Sequence, residues 1–415
     1  MKPLLVQKYG GSSVADAECM RRVADRIRSD YENGNDVVVV VSAMGKSTDK
    51  LIALAREVHA DPNDREYDQL LSTGEQISIS ILAMALHHLG VKAVSMTGAQ
   101  AGIRTDASHT KAKITGIDPF RVREKLDQGH VVIVAGFQGM NPASDVATLG
   151  RGGSDLTAVA MAAALKADRC QIFTDVDGVY TADPRVVPNA RKLDVIAFDE
   201  MLELASLGAK VLQSRSVEFA KKYGVELEVL TSFERKPGTI VKEISVMEDV
   251  LVRGVAADKN QAKVTLRGLQ DTPGVAALLF KAVAEAGVNV DIIVQNISEE
   301  GHTDISFTVP RDDVADVREC IKNLQDIHFR QDLYDDSIAK VTLVGVGMRS
   351  HTGVASRMFQ VLAERNINIQ MISTSEIRVS VVIDEADSDA ACKALHTVFE
   401  LDKDPVEVPA QETPL

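Results

Sequence analysis

Val37-Val38-Val39-Val40-Val41-Ser42-Ala43-Met44-Gly45-Lys46-Ser47-Thr48-Asp49 opens with five valines in a row and ends in a small, polar loop. A β-branched run with no polar face suits a central strand of a parallel sheet covered by helices on both sides. Val131-Val132-Ile133-Val134, Gln171-Ile172-Phe173-Thr174 and residues 225–230 read in the same way. Between these runs, Met20, Val23, Ala24, Ile27 and Tyr31 recur at helical spacing and form one apolar stripe. Residues 154–167 are Ala-rich and apolar nearly all round, which predicts a buried helix. The first 240 residues therefore predict an α/β class, a mainly parallel sheet covered by helices.

Gly-containing loops stand where such strands should end. Gly45-Lys46-Ser47 imitates the end of a Walker A loop, but that motif needs Gly five residues earlier, where Val40 stands inside the strand. The P-loop reading is excluded, and a ligand loop at a strand's C-terminal end remains. Lys8-Tyr9-Gly10-Gly11-Ser12-Ser13 follows Leu4-Leu5-Val6; paired glycines admit an anion to the backbone N–H groups, and equally make a plain turn. Gly150-Arg151-Gly152-Gly153-Ser154-Asp155 leads into the Ala-rich helix, with Ser154 as its expected N-cap. The same segment offers a concave anion site in which Arg can grip a carboxylate. Thr174-Asp175-Val176-Asp177-Gly178-Val179-Tyr180-Thr181-Ala182-Asp183-Pro184-Arg185 lacks the closing Glu of a calcium loop, and could cradle a nucleotide.

The last third repeats itself. Lys263-Val264-Thr265-Leu266 recurs as Lys340-Val341-Thr342-Leu343, and Gly274-Val275-Ala276 as Gly353-Val354-Ala355. Asn289-Val290-Asp291 and Asn368-Ile369-Gln370 follow at equal distance. Offsets of 77 to 79 residues are too long for a solenoid and right for two tandem small domains. Each copy reads strand, helix, strand, strand, helix, with residues 251–257 available as an interleaving strand. The expected domains are 1–240, a connecting stretch 241–262, and repeats at 263–338 and 339–415.

Composition narrows the function. The chain has 415 residues, 45% hydrophobic and 26% charged, as in soluble globular proteins of two or three domains. It has no Trp, only 4% aromatics and a net charge of −14, which argues against a nucleic-acid partner. Cys19, Cys170, Cys320 and Cys392 are scattered, without zinc or disulfide spacing. No signal-peptide pattern or spanning apolar stretch is present, so no membrane role and a cytoplasmic location are expected.

Together these segments resemble the amino-acid kinase family, and within it the aspartokinase branch. The carriers are Lys8 to Ser13, Ser42 to Asp49, Gly74-Glu75, Gly136-Phe137-Gln138-Gly139, Gly150 to Asp155 and Thr174 to Arg185, in family order. The repeats resemble paired ACT domains. The resemblance implies an amino-acid kinase fold followed by two tandem α+β ACT (βαββαβ) domains. It also implies ATP-dependent phosphorylation of the L-aspartate side chain, the entry to lysine, threonine and methionine biosynthesis. A carboxylate of pKa about 4 is already a nucleophile at neutral pH, which suits a motif set without a general base.

By that resemblance Lys8 and Asp155 are catalytic. Ser47, Thr48, Glu75, Arg151, Gly152, Gly153 and Ser154 bind aspartate, with Glu75 taking the α-ammonium. Lys8, Gly10, Gly11, Ser42, Thr174, Asp175, Tyr180, Asp183, Arg185 and Lys210 serve ATP. Mg2+ arrives with ATP, and no protein ligand is named for it. Asp271, Asn289, Asp291 and Gln295 bind one effector; Val354, Ala355, Asn368, Ile369, Ser375 and Glu376 form or border a second site, lysine and threonine being the expected effectors. A homo-oligomer is expected, or an assembly with a regulatory subunit started at Met247. The rivals are a kinase for another acceptor (glutamate, acetylglutamate or UMP) and an amino-acid sensor with an inactive kinase half.

Overall fold

A computed structural model describes residues 2–150, 152–207, 211–244, 251–296, 301–324, 327–346, 348 and 353–403. The chain divides into two units, Met1–Val179 with Lys192–Ser245, and Tyr180–Arg191 with Val246–Leu415.

The first unit is built on an eight-stranded sheet. Its order is Val195–Ala197, Thr239–Lys242, Leu227–Thr231, Arg169–Thr174, Leu4–Tyr9, Asp36–Val41, Val131–Ala135, Ala93–Met96. Every neighbouring pair is parallel except Leu227–Thr231 with Thr239–Lys242. The five valines are fully buried, as a strand with no polar face requires. Val39 lies between Gln7 and Ile133 in register. Helix Ala17–Glu32 covers one face with Met20, Val23, Ala24 and Ile27, and Asp16 caps it by accepting the N–H groups of Glu18 and Cys19. A small sheet, in the order Ile114–Ile117, Ile103–Thr105, Gln138–Met140, Val146–Thr148, stands beside the main one.

The Ala-rich helix spans Gly153–Leu165 and is buried along most of its length. Its N-cap is Gly152, at φ 70, and not Ser154. A serine cap needs extended backbone, whereas this chain enters the helix through a left-handed residue, a conformation that favours glycine. A further helix spans Ser214–Tyr223, and Lys210 lies outside the described residues.

The second unit contains an antiparallel six-stranded sheet. Its order is Ile293–Gln295, His302–Pro310, Leu251–Gln270, Gln331–Val346, Arg378–Asp384, Met371–Thr374. The two central strands are exchanged between the repeats. Residues 251–258 pair with 340–346 of the second repeat, and residues 261–267 pair with 331–338. Helices Val275–Glu285 and Val314–Lys322 close the first repeat's core, while Gly353–Glu364 and Ser388–Val398 close the second's. No described helix in either unit is long and apolar enough to cross a membrane.

The segment Tyr180–Arg191 belongs to the second unit although the chain on both sides belongs to the first. The Thr181 carbonyl accepts the Val255 N–H at 2.8 Å, and Ala182 and Val187 enter the second repeat's core. Thr181 Oγ1 meets His396 Nε2 at 3.0 Å, with both residues buried. Burial holds His396 below the usual imidazole range. Below about pH 6.5 the unfolded chain then binds more protons at this site than the folded one, so stability falls as pH falls. His396→Gln keeps a partner for Thr181 and cannot take up that proton. Calorimetry at pH 7.5 and 5.5 should find the wild type losing more melting temperature than H396Q; equal losses would contradict the assignment.

Candidate active site

Parallel strands place their C-terminal ends along one edge of the first unit's sheet, and the motif loops leave from there. The ladder continues one residue past the strands: Ser42 N–H donates to the Tyr9 carbonyl at 3.1 Å, and Gly136 N–H to that of Val41 at 3.0 Å. Gly10 donates its N–H to the Phe173 carbonyl at 3.3 Å, and Gly45 donates to Gly11 at 3.0 Å, which locks two motif loops together. Ser47 and Thr48 open helix Ser47–Val58, and Ser47 Oγ donates to the Met44 carbonyl at 2.6 Å.

Lys8, at the end of the first strand, meets Asp155 in the first turn of the Ala-rich helix. Nζ and Oδ1 are 2.7 Å apart, and the side chains are 11% and 10% exposed. Such an ion pair fixes the lysine head, and the helix N-terminus beside it favours negative charge. The combination is a pre-oriented cation next to oriented backbone dipoles, with low solvent access. It can neutralise a phosphoryl group in transit.

Glu75 lies in the first turn of helix Thr73–His88 and is 3% exposed. Its Oε1 accepts the Ala43 N–H at 3.0 Å, while the buried Oε2 has no hydrogen-bond partner. Gly74 permits this approach, since a Cβ there would stand 2.9 Å from Ala43 Cβ. Burial pushes the Glu75 carboxyl up from 4.5 to about 7, against the opposing pull of backbone N–H donors. A buried carboxylate oxygen without a partner is well suited to an ammonium group.

Thr174 ends its strand, and its Oγ1 donates to exposed Asp175 at 3.0 Å. Tyr180, Asp183 and Arg185 are carried by the second unit. Arg185 clamps Asp183 with contacts of 2.7 to 3.2 Å, which holds the Asp183 carboxyl below its ordinary range. Arg151 and Lys210 lie outside the described residues, as does Met247. In the repeats, Asp271 N–H donates to the Gly301 carbonyl at 2.8 Å, and Asn289 and Gln295 are exposed. Val354 is buried and Ala355 half-buried in helix Gly353–Glu364; exposed Asn368 and half-buried Ile369 precede strand Met371–Thr374, and Ser375 and Glu376 follow it.

Sequence reasoning missed Asp68, which is fully buried. Its Oδ2 accepts the N–H groups of Thr110 at 2.9 Å and Thr148 at 3.0 Å, and is bonded to His109 Nδ1 at 2.9 Å. Oδ1 accepts from Thr148 Oγ1. Asp68 thereby ties helix Asp64–Leu71, just ahead of Glu75, to the strand that runs into the 150–155 loop. The available signal was its position three residues before buried Leu71, on the same helix face. Asp68→Asn should lower stability by about 2–3 kcal/mol in chemical denaturation, because an amide nitrogen faces buried donors. A change under about 0.5 kcal/mol would mean that the hub is dispensable.

Residues 3–231 match the amino acid kinase family, and residues 264–324 and 341–399 match the ACT domain. An aspartokinase of Mycolicibacterium smegmatis is 57% identical over 408 residues, 97% of each chain. The solved structure of E. coli aspartokinase III in complex with aspartate and ADP, in its R-state, gives a TM-score of 0.81 at 27% identity, over 95% of this chain and 99% of that one. The same enzyme in complex with lysine and aspartate, in its T-state, gives 0.74 at 27% identity, over 96% and 99%. The strand-end lysine, the carboxylate that holds it and the duplicated tail thus stand in a chain that belongs to the amino acid kinase family, as an aspartate kinase with an ACT tail.

Proposed function

We propose that this chain transfers the γ-phosphoryl group of ATP to the side-chain carboxylate of L-aspartate, giving 4-phospho-L-aspartate as the first step of lysine, threonine and methionine biosynthesis. The observation that carries the assignment of roles is the Lys8–Asp155 pair at the head of a buried helix. A carboxylate oxygen of aspartate attacks the γ-phosphorus; the new O–P bond forms as the bond to the bridging oxygen breaks, and ADP leaves with that electron pair. No proton moves. Lys8 stabilises the transferring group, and Asp155 holds Lys8 in place.

Glu75 binds the α-ammonium of aspartate, and Arg151 a carboxylate, with Ser47, Thr48, Gly152, Gly153 and Ser154 completing the substrate side. Gly10, Gly11, Ser42, Thr174, Asp175, Tyr180, Asp183, Arg185 and Lys210 serve the nucleotide. Magnesium enters with ATP and supplies charge neutralisation at the phosphates. Among the described residues no group of three or more His, Cys, Asp or Glu is placed to hold a metal ion.

The ACT repeats would bind lysine and threonine, through Asp271, Asn289, Asp291 and Gln295 at one site and Val354, Ala355, Asn368, Ile369, Ser375 and Glu376 at or beside another. The relative solved with bound lysine supports a regulatory reading. A cytoplasmic oligomer, or a complex with a regulatory subunit started at Met247, is the expected working form. Incubation with Mg-ATP, L-aspartate and hydroxylamine tests the reaction. Aspartyl hydroxamate that falls when lysine and threonine are added supports the whole reading; none from folded protein sinks it.

Lys8→Met should lower kcat about a thousandfold and Asp155→Asn about a hundredfold, with KM for ATP changed far less. Unchanged kcat in either variant would remove the pair from the chemistry. Ammonium binding needs ionised Glu75, so the KM for aspartate should fall about tenfold between pH 6 and 8. A flat profile would contradict that role. The sign for stability is opposite. A folded-state pKa raised from 4.5 to about 7 makes stability decline as pH rises through that window, by about 3 kcal/mol in all. Glu75→Gln should therefore melt higher than the wild type at pH 8 while losing activity.

A further inference from the structure

The sequence repeat continues into a reciprocal set of contacts. Lys263 and Lys340 are equivalent residues of the two repeats, as are Asp291 and Gln370. Each lysine reaches across to the other repeat: Lys340 Nζ donates to Asp291 Oδ2, and Lys263 Nζ to Gln370 Oε1. The surroundings match. Asp291 N–H donates to the Thr308 carbonyl at 3.1 Å, and Gln370 N–H to that of Val382 at 2.8 Å. Thr265 bonds Ser306 at 3.0 Å, and Thr342 bonds Ser380 at 2.8 Å.

The two halves differ in charge. On one side an ammonium meets a carboxylate, and on the other it meets a neutral amide. The Lys340 side chain is 4% exposed, against 22% for Lys263. A buried ammonium requires a counter-charge, and Asp291 supplies it. Arg378 adds a second cation 3.8 Å from Asp291 Oδ1. Lys263 has Asp335 at 3.9 Å as a further partner, and Gln370 Nε2 donates to Asp384 Oδ1 at 2.6 Å. Apolar Ile292, Ile338, Met371 and Val382 pack in one cluster formed from both repeats; Ile338 lies two residues before Lys340, and Met371 directly follows Gln370.

We propose that Lys340 is a built-in competitor at the first effector site: its ammonium occupies, on Asp291, the place that the α-ammonium of an amino-acid effector takes. An effector then binds by displacing Lys340, and the strength of the Lys340–Asp291 pair sets how much effector is needed. On the other side Lys263 is held at the equivalent position by neutral Gln370, its carboxylate partner Asp335 standing farther off at 3.9 Å, so no ion pair at that position has to be broken. This rests on the reading of Asp291 as an effector ligand.

The test is calorimetric titration of the full-length protein with lysine and with threonine, in parallel with inhibition of hydroxamate formation. Lys340→Met removes the competing charge at similar volume, and one of the two amino acids should bind about five- to twentyfold more tightly. Lys340→Gln, which still donates a hydrogen bond to Asp291, should shift the same affinity by less in the same direction, and serves if the methionine variant does not fold. Asp291→Asn should weaken binding of that amino acid at least tenfold. If Asp291→Asn leaves both affinities unchanged, the effector reading at Asp291 falls and the proposal with it. If it weakens one of them while the Lys340 variants leave that affinity unchanged or lower it, displacement alone is overturned.

Discussion

A lysine held 2.7 Å from an aspartate, each side chain about nine-tenths buried, is the constraint on which the first unit depends. Burying a cation costs more than a single carboxylate returns unless geometry and further dipoles are favourable. The fold supplies both. Lys8 stands at the end of a central parallel strand, and Asp155 sits in the first turn of a helix that is buried along most of its length. The left-handed entry at Gly152 sets the helix start, and the Ala-rich faces let that helix pack against its neighbours. Chemistry that transfers phosphate to a carboxylate needs positioned positive charge and no base, and this arrangement offers that.

The same low-dielectric surroundings explain the second charged group. Glu75 keeps one oxygen bonded to Ala43 and one without a partner, and burial raises its carboxyl to about 7. A buried group left short of partners destabilises a free protein and favours a bound ligand that completes it. Asp68 is the contrasting case. It is equally buried but fully bonded, and it stiffens the chain ahead of the Gly-rich loop.

Much of this was legible in the sequence because it is periodic or compositional. The valine run fixed a two-sided strand, the Met20–Ile27 stripe a covering helix, and the spacing of the repeats two small domains. The helix start was misread at Ser154, since side-chain preference cannot reveal that Gly152 takes the left-handed conformation. The excursion at Tyr180–Arg191 left no sign either. Its buried members, Thr181, Ala182 and Val187, are too few for a pattern, and their partners Val255 and His396 lie far along the chain. Asp68 failed for a related reason: a lone Asp on a short helix is usually solvated, and its partners come from a loop at His109 and Thr110 and a strand end at Thr148, both far along the chain. The exchange of central strands was suggested by the spare strand ahead of the first repeat, while the crossed lysines could be seen only once the register was known.

The central claim is that phosphoryl transfer here runs on a cation positioned by its partner carboxylate, without any proton in flight. Single-turnover transfer from Mg-ATP to L-aspartate, measured in H2O and in D2O at matched points of the pH profile, tests it most directly. A solvent isotope effect of about 1 on the transfer step is the predicted result. A value of about 2 or more would place a general base in the transition state and contradict the account.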